Sequence, residues 1–288
     1  MSDPRNLVIR PIKLGLVFVL LAAVIAVVLL PNRGSAAGHP SCGDTITSDT
    51  TLTGPVLCGI GFAGNALTIA TPGITLDGDG HKISGTGAGI GILVIADDVV
   101  VTDIVVEGFK NGIIAGLFGA ANDFTLTDST VSSARGVRTT SSGHTLTGNS
   151  ITGAGEALLA QNGAGNRYEN NVFVGGCEIA ISAVDSIITN NKFVGTGCYG
   201  LRVLGSGNTV NGNSITGKLI ALYVNGASNS TVFENELFGD HAGGRWGALH
   251  VNGGATGNVF YNNNFRDNDF HISDQSSGTN FYNLPLPV

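Results

Sequence analysis

The sequence predicts an all-β solenoid of about ten coils, and two observations carry that prediction. The first is a recurring phrase between Leu146 and Phe265: LTGNSI, YENNVF, ITNNKF, VNGNSI, VFENEL and FYNNNF. Each opens on an apolar residue (Leu146, Tyr168, Ile188, Val210, Val232, Phe260), with Asn three places on (Asn149, Asn171, Asn191, Asn213, Asn235, Asn263). Another apolar residue follows two places after the Asn (Ile151, Phe173, Phe193, Ile215, Leu237, Phe265). The phrases start 22, 20, 22, 22 and 28 residues apart, a period that belongs to stacked coils of short strands. The second observation is composition. With 44 Gly, one Met and 12% charged residues in 288, the chain is rich in bends and poor in helix formers.

The repeated Asn has two expected uses. It tolerates the left-handed backbone of a tight bend, and its amide can bond to the equivalent amide one coil away. Six in register make a ladder.

Residues 1–37 stand apart from the repeat. Arg5, Arg10 and Lys13 flank the apolar run 14–30, and Ser35-Ala36-Ala37 supplies the small residues of a cleavage site. This is the pattern of an export signal, with an uncleaved membrane anchor through residues 14–30 as its competitor. Pro31 and the Ser-Ala-Ala site favour cleavage. Either way residues 38–288 are expected outside the cytoplasm, in the periplasm, secreted, or held at the cell surface.

Four cysteines agree with an oxidising compartment. Cys42 and Cys58 bracket the first segment after residue 38, where a solenoid must cover its first coil, and their closure would staple that cap. Cys177 and Cys198 are one coil apart, close enough on neighbouring rungs for a second disulfide. The alternative for each pair is a buried free thiol.

From Cys58 onward no composition break suggests a second domain. ALTI at Ala66 and ITLDGDGHKI at Ile74 begin the stack. ADDVVVTDIVV from Ala96 and ANDFTLTDSTV from Ala121 are near-copies offset by 25 residues. Each coil adds an alternating strand, such as GLRV from Gly200, ALYV from Ala221, ALHV from Ala248 and DFHI from Asp269. Alternation sends Leu201, Leu222, Leu249 and Phe270 inward and Arg202, Tyr223, His250 and His271 outward.

The repeat, the opening CGDTITSDTTLTGPVLC and the ITLDGDGHKISG phrase resemble exported parallel β-helix repeat proteins with a NosD-type periplasmic domain. The likeness runs from about Cys42 to Tyr282. It implies a single-stranded right-handed parallel β-helix. It also resembles, more distantly, pectate lyases, polygalacturonases and mannuronan epimerases, which implies polysaccharide as the ligand class and leaves a lyase, hydrolase or epimerase as the alternative to a non-enzymatic binding or scaffold protein. The NosD-type likeness implies copper handling as a further alternative.

Two groups of residues are candidates for chemistry. The doubled phrase stacks Asp98 under Asp123 and Asp103 under Asp128. Carboxylates one rung apart must share a proton or hold a cation, and Ca²⁺ suits oxygen ligands. The competing reading is that Asp stands in for Asn at bends. The Asp-pair, Gly-His-Gly and Arg-x-Lys combination of polygalacturonases does not occur.

The second group lies toward the C-terminus. The 28-residue spacing marks an insertion carrying Asp240, His241, Arg245 and the single Trp, Trp246, beside the outward column Arg202, Tyr223, His250 and His271. Aromatic residues with Arg and a carboxylate suit a sugar ring, whereas His241, His250 and His271 suit a transition metal such as copper or zinc. A solvated face is the plain alternative.

Other classes are disfavoured. A net charge of −7 gives no footprint for nucleic acid. GTGAGIG from Gly85 is followed by no helical pattern, so its glycines read as bends and not as a phosphate loop. No zinc spacing or nucleophile motif appears, and no cofactor is required by the fold.

Overall fold

The computed structural model describes residues 38–117, 121–176, 178–217, 219–239, 247–266 and 271–283. Every element in them is a β-strand and every strand pairing is parallel. A sheet of eleven strands, one per coil, runs from Thr50–Thr51 to Phe281–Asn283 and is called sheet 1 here. Sheet 2 runs from Val56–Leu57 to Asn264–Arg266, and sheet 3 from Asp44–Ile46 to Ile272–Asp274. Sheets 2 and 3 are continuous because Thr130–Thr139 and Ser150–Ala164 run through the bend between them, with a register shift between Ser133 and Arg135.

Register follows the apolar pattern because a slip of one residue would turn every inward side chain out. On sheet 1 the inward row is Leu126, Leu146, Tyr168, Ile188, Val210 and Val232, none more than 1% exposed. On sheet 2, Phe173 stacks on Phe193 with centroids 5.1 Å apart. On sheet 3, Leu201, Leu222 and Leu249 line up and are wholly buried.

The Asn ladder forms at the bend between sheets 1 and 2. In Asn171, for example, Oδ1 accepts from the backbone N–H of Asn149 at 3.0 Å and from its Nδ2 at 2.9 Å. Its own Nδ2 donates to the Leu146 carbonyl at 2.7 Å. The pattern repeats to Asn263, and Ser129 begins it by donating its N–H to Asn149. Buried backbone groups that the bend strips from the sheets are thereby paired.

The left-handed backbone falls one residue earlier than expected. It is taken by Asn170 (φ 56°), Asn190 (φ 54°), Glu234 (φ 54°), Asn262 (φ 53°), Gly148 and Gly212, not by the ladder Asn itself. The physical reason is a division of labour, in which the bend residue turns the chain and so aims the next side chain inward.

A second ladder, absent from the sequence reading, closes the corner between sheets 3 and 1. Backbone N–H groups of His144, Asn166, Ser186, Asn208, Ser230 and Asn258 each donate to the side-chain oxygen of the next member, ending at Asn280, at 2.9–3.3 Å. His144 starts this row with its ring in the core. Its Nε2 accepts from the Ser141 N–H at 3.2 Å, and burial pushes its pKa down to about 4.

The first coil is stapled as expected, with Cys42 bonded to Cys58 and Cα atoms 5.6 Å apart. Cys198 is also disulfide-bonded, while Cys177 lies outside the described residues. No helix among the described residues is long and apolar enough to cross a membrane, and residues 14–30 are not among them.

Candidate functional site

The outward side of sheet 3 carries a row of residues paired coil to coil: Ile114, Arg138, Leu159, Ala180, Arg202, Tyr223, His250 and Ser273. Parallel pairing spaces such neighbours by about 4.8 Å, so rings on successive coils meet. Tyr223 lies 5.2 Å from His250 and 5.0 Å from Tyr199, with rings tilted by 30° and 44°. The Arg202 guanidinium sits 5.7 Å from the Tyr223 centroid, within cation–π range. Tyr199, Arg202 and Tyr223 are half-buried.

Sequence alternation therefore placed Arg202, Tyr223 and His250 correctly as one column. It misjudged His250, which is only 1% exposed although it points away from the core. The stacked Tyr223 ring helps to shield it. Burial lowers the His250 pKa, with the Ser273 backbone and the Asp274 charge acting in the opposite sense.

His271 does not join the column. Leu249 pairs with Ile272, so the residue opposite His250 is Ser273, and His271 stacks instead on Phe265 at 5.3 Å. The expected pairing of His250 with His271 is corrected by one step of two residues. Asp240, His241, Arg245, Trp246 and Phe270 lie outside the described residues.

The doubled carboxylates resolve as bend residues. Asp98 (φ 57°) and Asp123 (φ 55°) occupy the left-handed position before the second corner, and Asp103 (φ 45°) and Asp128 (φ 49°) the one before the first. These columns continue as Gly143, Asp185, Gly207 and Asn229 in one case and Gly148, Asn170 and Asn190 in the other. Asp side chains at such bends lie over glycines of the next coil, as Asp123 does over Gly143 and Asp128 over Gly148. This is the conformational work that small polar side chains do in turns.

Three residues escaped the sequence reading: Tyr199 beside the column, and Asp274 and Tyr282 at the last coil, where Asp274 pairs with core-facing Val251 and Tyr282 stacks on Phe260. Asp274 accepts from Ser276 Oγ and Tyr282 Oη, each at 2.6 Å, and also from Asn280. Burial raises its pKa, but those hydrogen bonds outweigh burial and leave it below the ordinary carboxylate value. Tyr282 is raised by burial and by Asp274. Tyr199 carried a weak signal as the residue opening the strand that contains Arg202.

Three solved structures are similar in fold. DFA-IIIase from Arthrobacter chlorophenolicus A6 in complex with GF2 matches with a TM-score of 0.62 and 14% identity, over 93% of this chain and 90% of that one. Alginate lyase from Paenibacillus sp. str. FPU-7 matches at 0.57 and 16%, over 83% and 90%. A point mutant of the periplasmic alginate epimerase AlgG matches at 0.59 and 12%, over 85% and 74%. Some other matched chains are longer, and this chain spans 61–64% of their length. No curated protein matches. The model of one protein family, described as periplasmic copper-binding protein (NosD), matches residues 64–287. Because that match covers well over half of the sequence, and the parallel coils bear it out, the chain belongs to the NosD family of periplasmic β-helix proteins.

Proposed function

We propose that this chain is an exported, non-catalytic polysaccharide-binding protein whose ligand lies along the outer face of sheet 3. The observation that carries the reading is the Tyr199–Tyr223–His250 ladder with Arg202 stacked beside it. Tyr rings present apolar surface to sugar C–H groups and hydroxyls to sugar oxygens, while a guanidinium donates to carboxylates in a fixed fork. A rigid solenoid repeats these groups at a spacing that a linear polymer can follow. Fold likeness to proteins named for alginate and for DFA-III supports carbohydrate as the class and nothing finer.

Lyase, hydrolase or epimerase chemistry is the runner-up: a hydrolase would need a pair of carboxylates aimed at the ladder, whereas for a lyase or an epimerase Tyr or His serves as the base. Asp98, Asp103, Asp123 and Asp128 serve bends, and Asp274 is engaged by Ser276 and Tyr282. Incubation with uronate polymers separates the two readings, because binding without unsaturated product, new reducing ends or epimerised residues is the expected result.

The family description names copper, which favours imidazole and sulfur donors. Among the described residues no three of His, Cys, Asp and Glu come together. Cys42, Cys58 and Cys198 are in disulfides, and His250 and His271 occupy different faces. The described residues therefore do not fit a copper centre with three such ligands.

A further inference from the structure

We propose that Asn252 is a self-modification site, at which the Gly253 backbone nitrogen expels the side-chain amide as ammonia and leaves a carboxylate on the outer face of sheet 3. Asn-Gly pairs are the setting for this reaction, because glycine puts no side chain beside the attacking nitrogen. The sequence has five, ending in Gly112, Gly163, Gly212, Gly226 and Gly253, and the structure separates them. Gly112 and Gly163 are buried inside the strands Asn111–Ala115 and Ser150–Ala164. The Gly212 N–H donates to the Phe233 carbonyl at 3.3 Å and the Gly226 N–H to the Asn252 carbonyl at 2.9 Å, in each case on the next coil. The Gly253 N–H turns back and donates to Oδ1 of Asn252 itself at 2.7 Å. The equivalent bond to the Gln275 carbonyl is not made, because the last coil turns there, with the Ser276 N–H drawn to Asp274 Oδ1 at 2.9 Å.

The fold requires this labile pair. Gly253 has a φ of 64°, and a Cβ there would run into Asn225 Oδ1. Gly253 and Gly254 are exposed, and a side chain at Gly254 would meet nothing within 4 Å, so water and hydroxide reach the turn. A nitrogen held against Oδ1 also stands beside Cγ, the carbon that bears that oxygen, as a near-attack arrangement requires. The Gly253 nitrogen gives up its proton and bonds to Asn252 Cγ, the Cγ–Nδ2 bond breaks, and Nδ2 leaves as ammonia. Water then opens the five-membered imide at either carbonyl, giving aspartate or isoaspartate at position 252.

Asn252 stands two residues after His250 and therefore on the same outward face, paired with Asn225 as His250 is paired with Tyr223. The new charge beside that stack repels an acidic polymer and not a neutral one. This consequence alone rests on sheet 3 being the polymer-binding face, and the test reads the reaction without any polymer.

The full chain is incubated in mildly alkaline water enriched in ¹⁸O, folded or in urea, and its peptides are mapped by mass spectrometry. In the folded protein the peptide holding Asn252 is expected to exchange NH for labelled oxygen about tenfold or more faster than those holding Asn211 and Asn225, faster still as pH rises, with isoaspartate among the products. In urea the difference is expected to vanish, and Asn252→Gln, whose longer side chain does not close the same ring, should take up no label at that position. Equal rates at Asn225 and Asn252 in the folded protein would overturn the proposal, as would an unlabelled Asn252 in folded protein over a time in which the unfolded chain is labelled. A product containing aspartate without isoaspartate would also overturn it, since that outcome means direct hydrolysis with no part played by Gly253.

Discussion

Asn213 Oδ1 receives two hydrogen bonds from Asn191, one from the backbone N–H at 2.9 Å and one from Nδ2 at 3.0 Å. Asn191 in turn donates to the Tyr168 carbonyl at 2.7 Å and is itself 2% exposed. Asn191→Leu strands these buried groups and should cost about 3 kcal/mol, since each unsatisfied buried group costs roughly 1–3 kcal/mol. Asn225→Leu, outside both ladders, should cost much less. Urea midpoints of the two variants check this, and equal losses would contradict the register.

The bend columns make a prediction with glycine. Gly207 (φ 68°) and Gly165 (φ 67°) share the same column, but a Cβ at Gly207 would sit 2.0 Å from Asp185 Oδ1 and one at Gly165 would meet nothing within 4 Å. Gly165→Ala should cost about 1 kcal/mol, the left-handed backbone penalty alone. Gly207→Ala should cost clearly more, as measured by thermal unfolding.

How far the sequence could be read follows from these same positions. The first ladder was legible because all six members are Asn, and identical residues at a fixed period are visible without a structure. The second alternates Asn166, Ser186, Asn208 and Ser230, because either a hydroxyl or an amide oxygen can accept the N–H of the preceding coil; its period is as regular, but no single letter marks it. Alternation gave direction for Arg202, Tyr223 and His250 yet not cover, since burial of an outward ring depends on what stacks above and below it. His271 was misplaced because apolar neighbours Phe270 and Ile272 mimic the alternation of a paired strand, whereas the register is set from Ile272 onward.

His144 makes stability depend on pH. Its folded pKa of about 4 lies below the ordinary 6.5, so below pH 6.5 the unfolded chain takes up a proton that the folded protein refuses. Its contribution is therefore intact above pH 6.5 and lost as pH falls toward 4, by about 3 kcal/mol in all. His144→Asn, which keeps an amide at the ladder position, should flatten this part of the profile. Denaturant midpoints at pH 7 and pH 4.5 for both proteins make the comparison, and parallel losses would contradict it.

The Cys42–Cys58 bond closes a loop with a sequence separation of 16 residues. Replacing both cysteines by Ser should destabilise by about 3 kcal/mol on a chain-entropy account. Because each coil contacts only its neighbours, the loss should appear first as hydrogen exchange in Asp44–Ile46 and Val56–Leu57, leaving the Asn ladder protected.

The most direct measurement is the affinity of a panel of uronate and neutral polysaccharides for the wild-type protein, Arg202→Ala and Tyr223→Ala. The account predicts that at least one polymer is bound without being altered, and that each substitution weakens binding by about tenfold or more while Tm barely moves. Retention of no polymer, unchanged affinity in both variants, or the appearance of cleaved or epimerised product would contradict it.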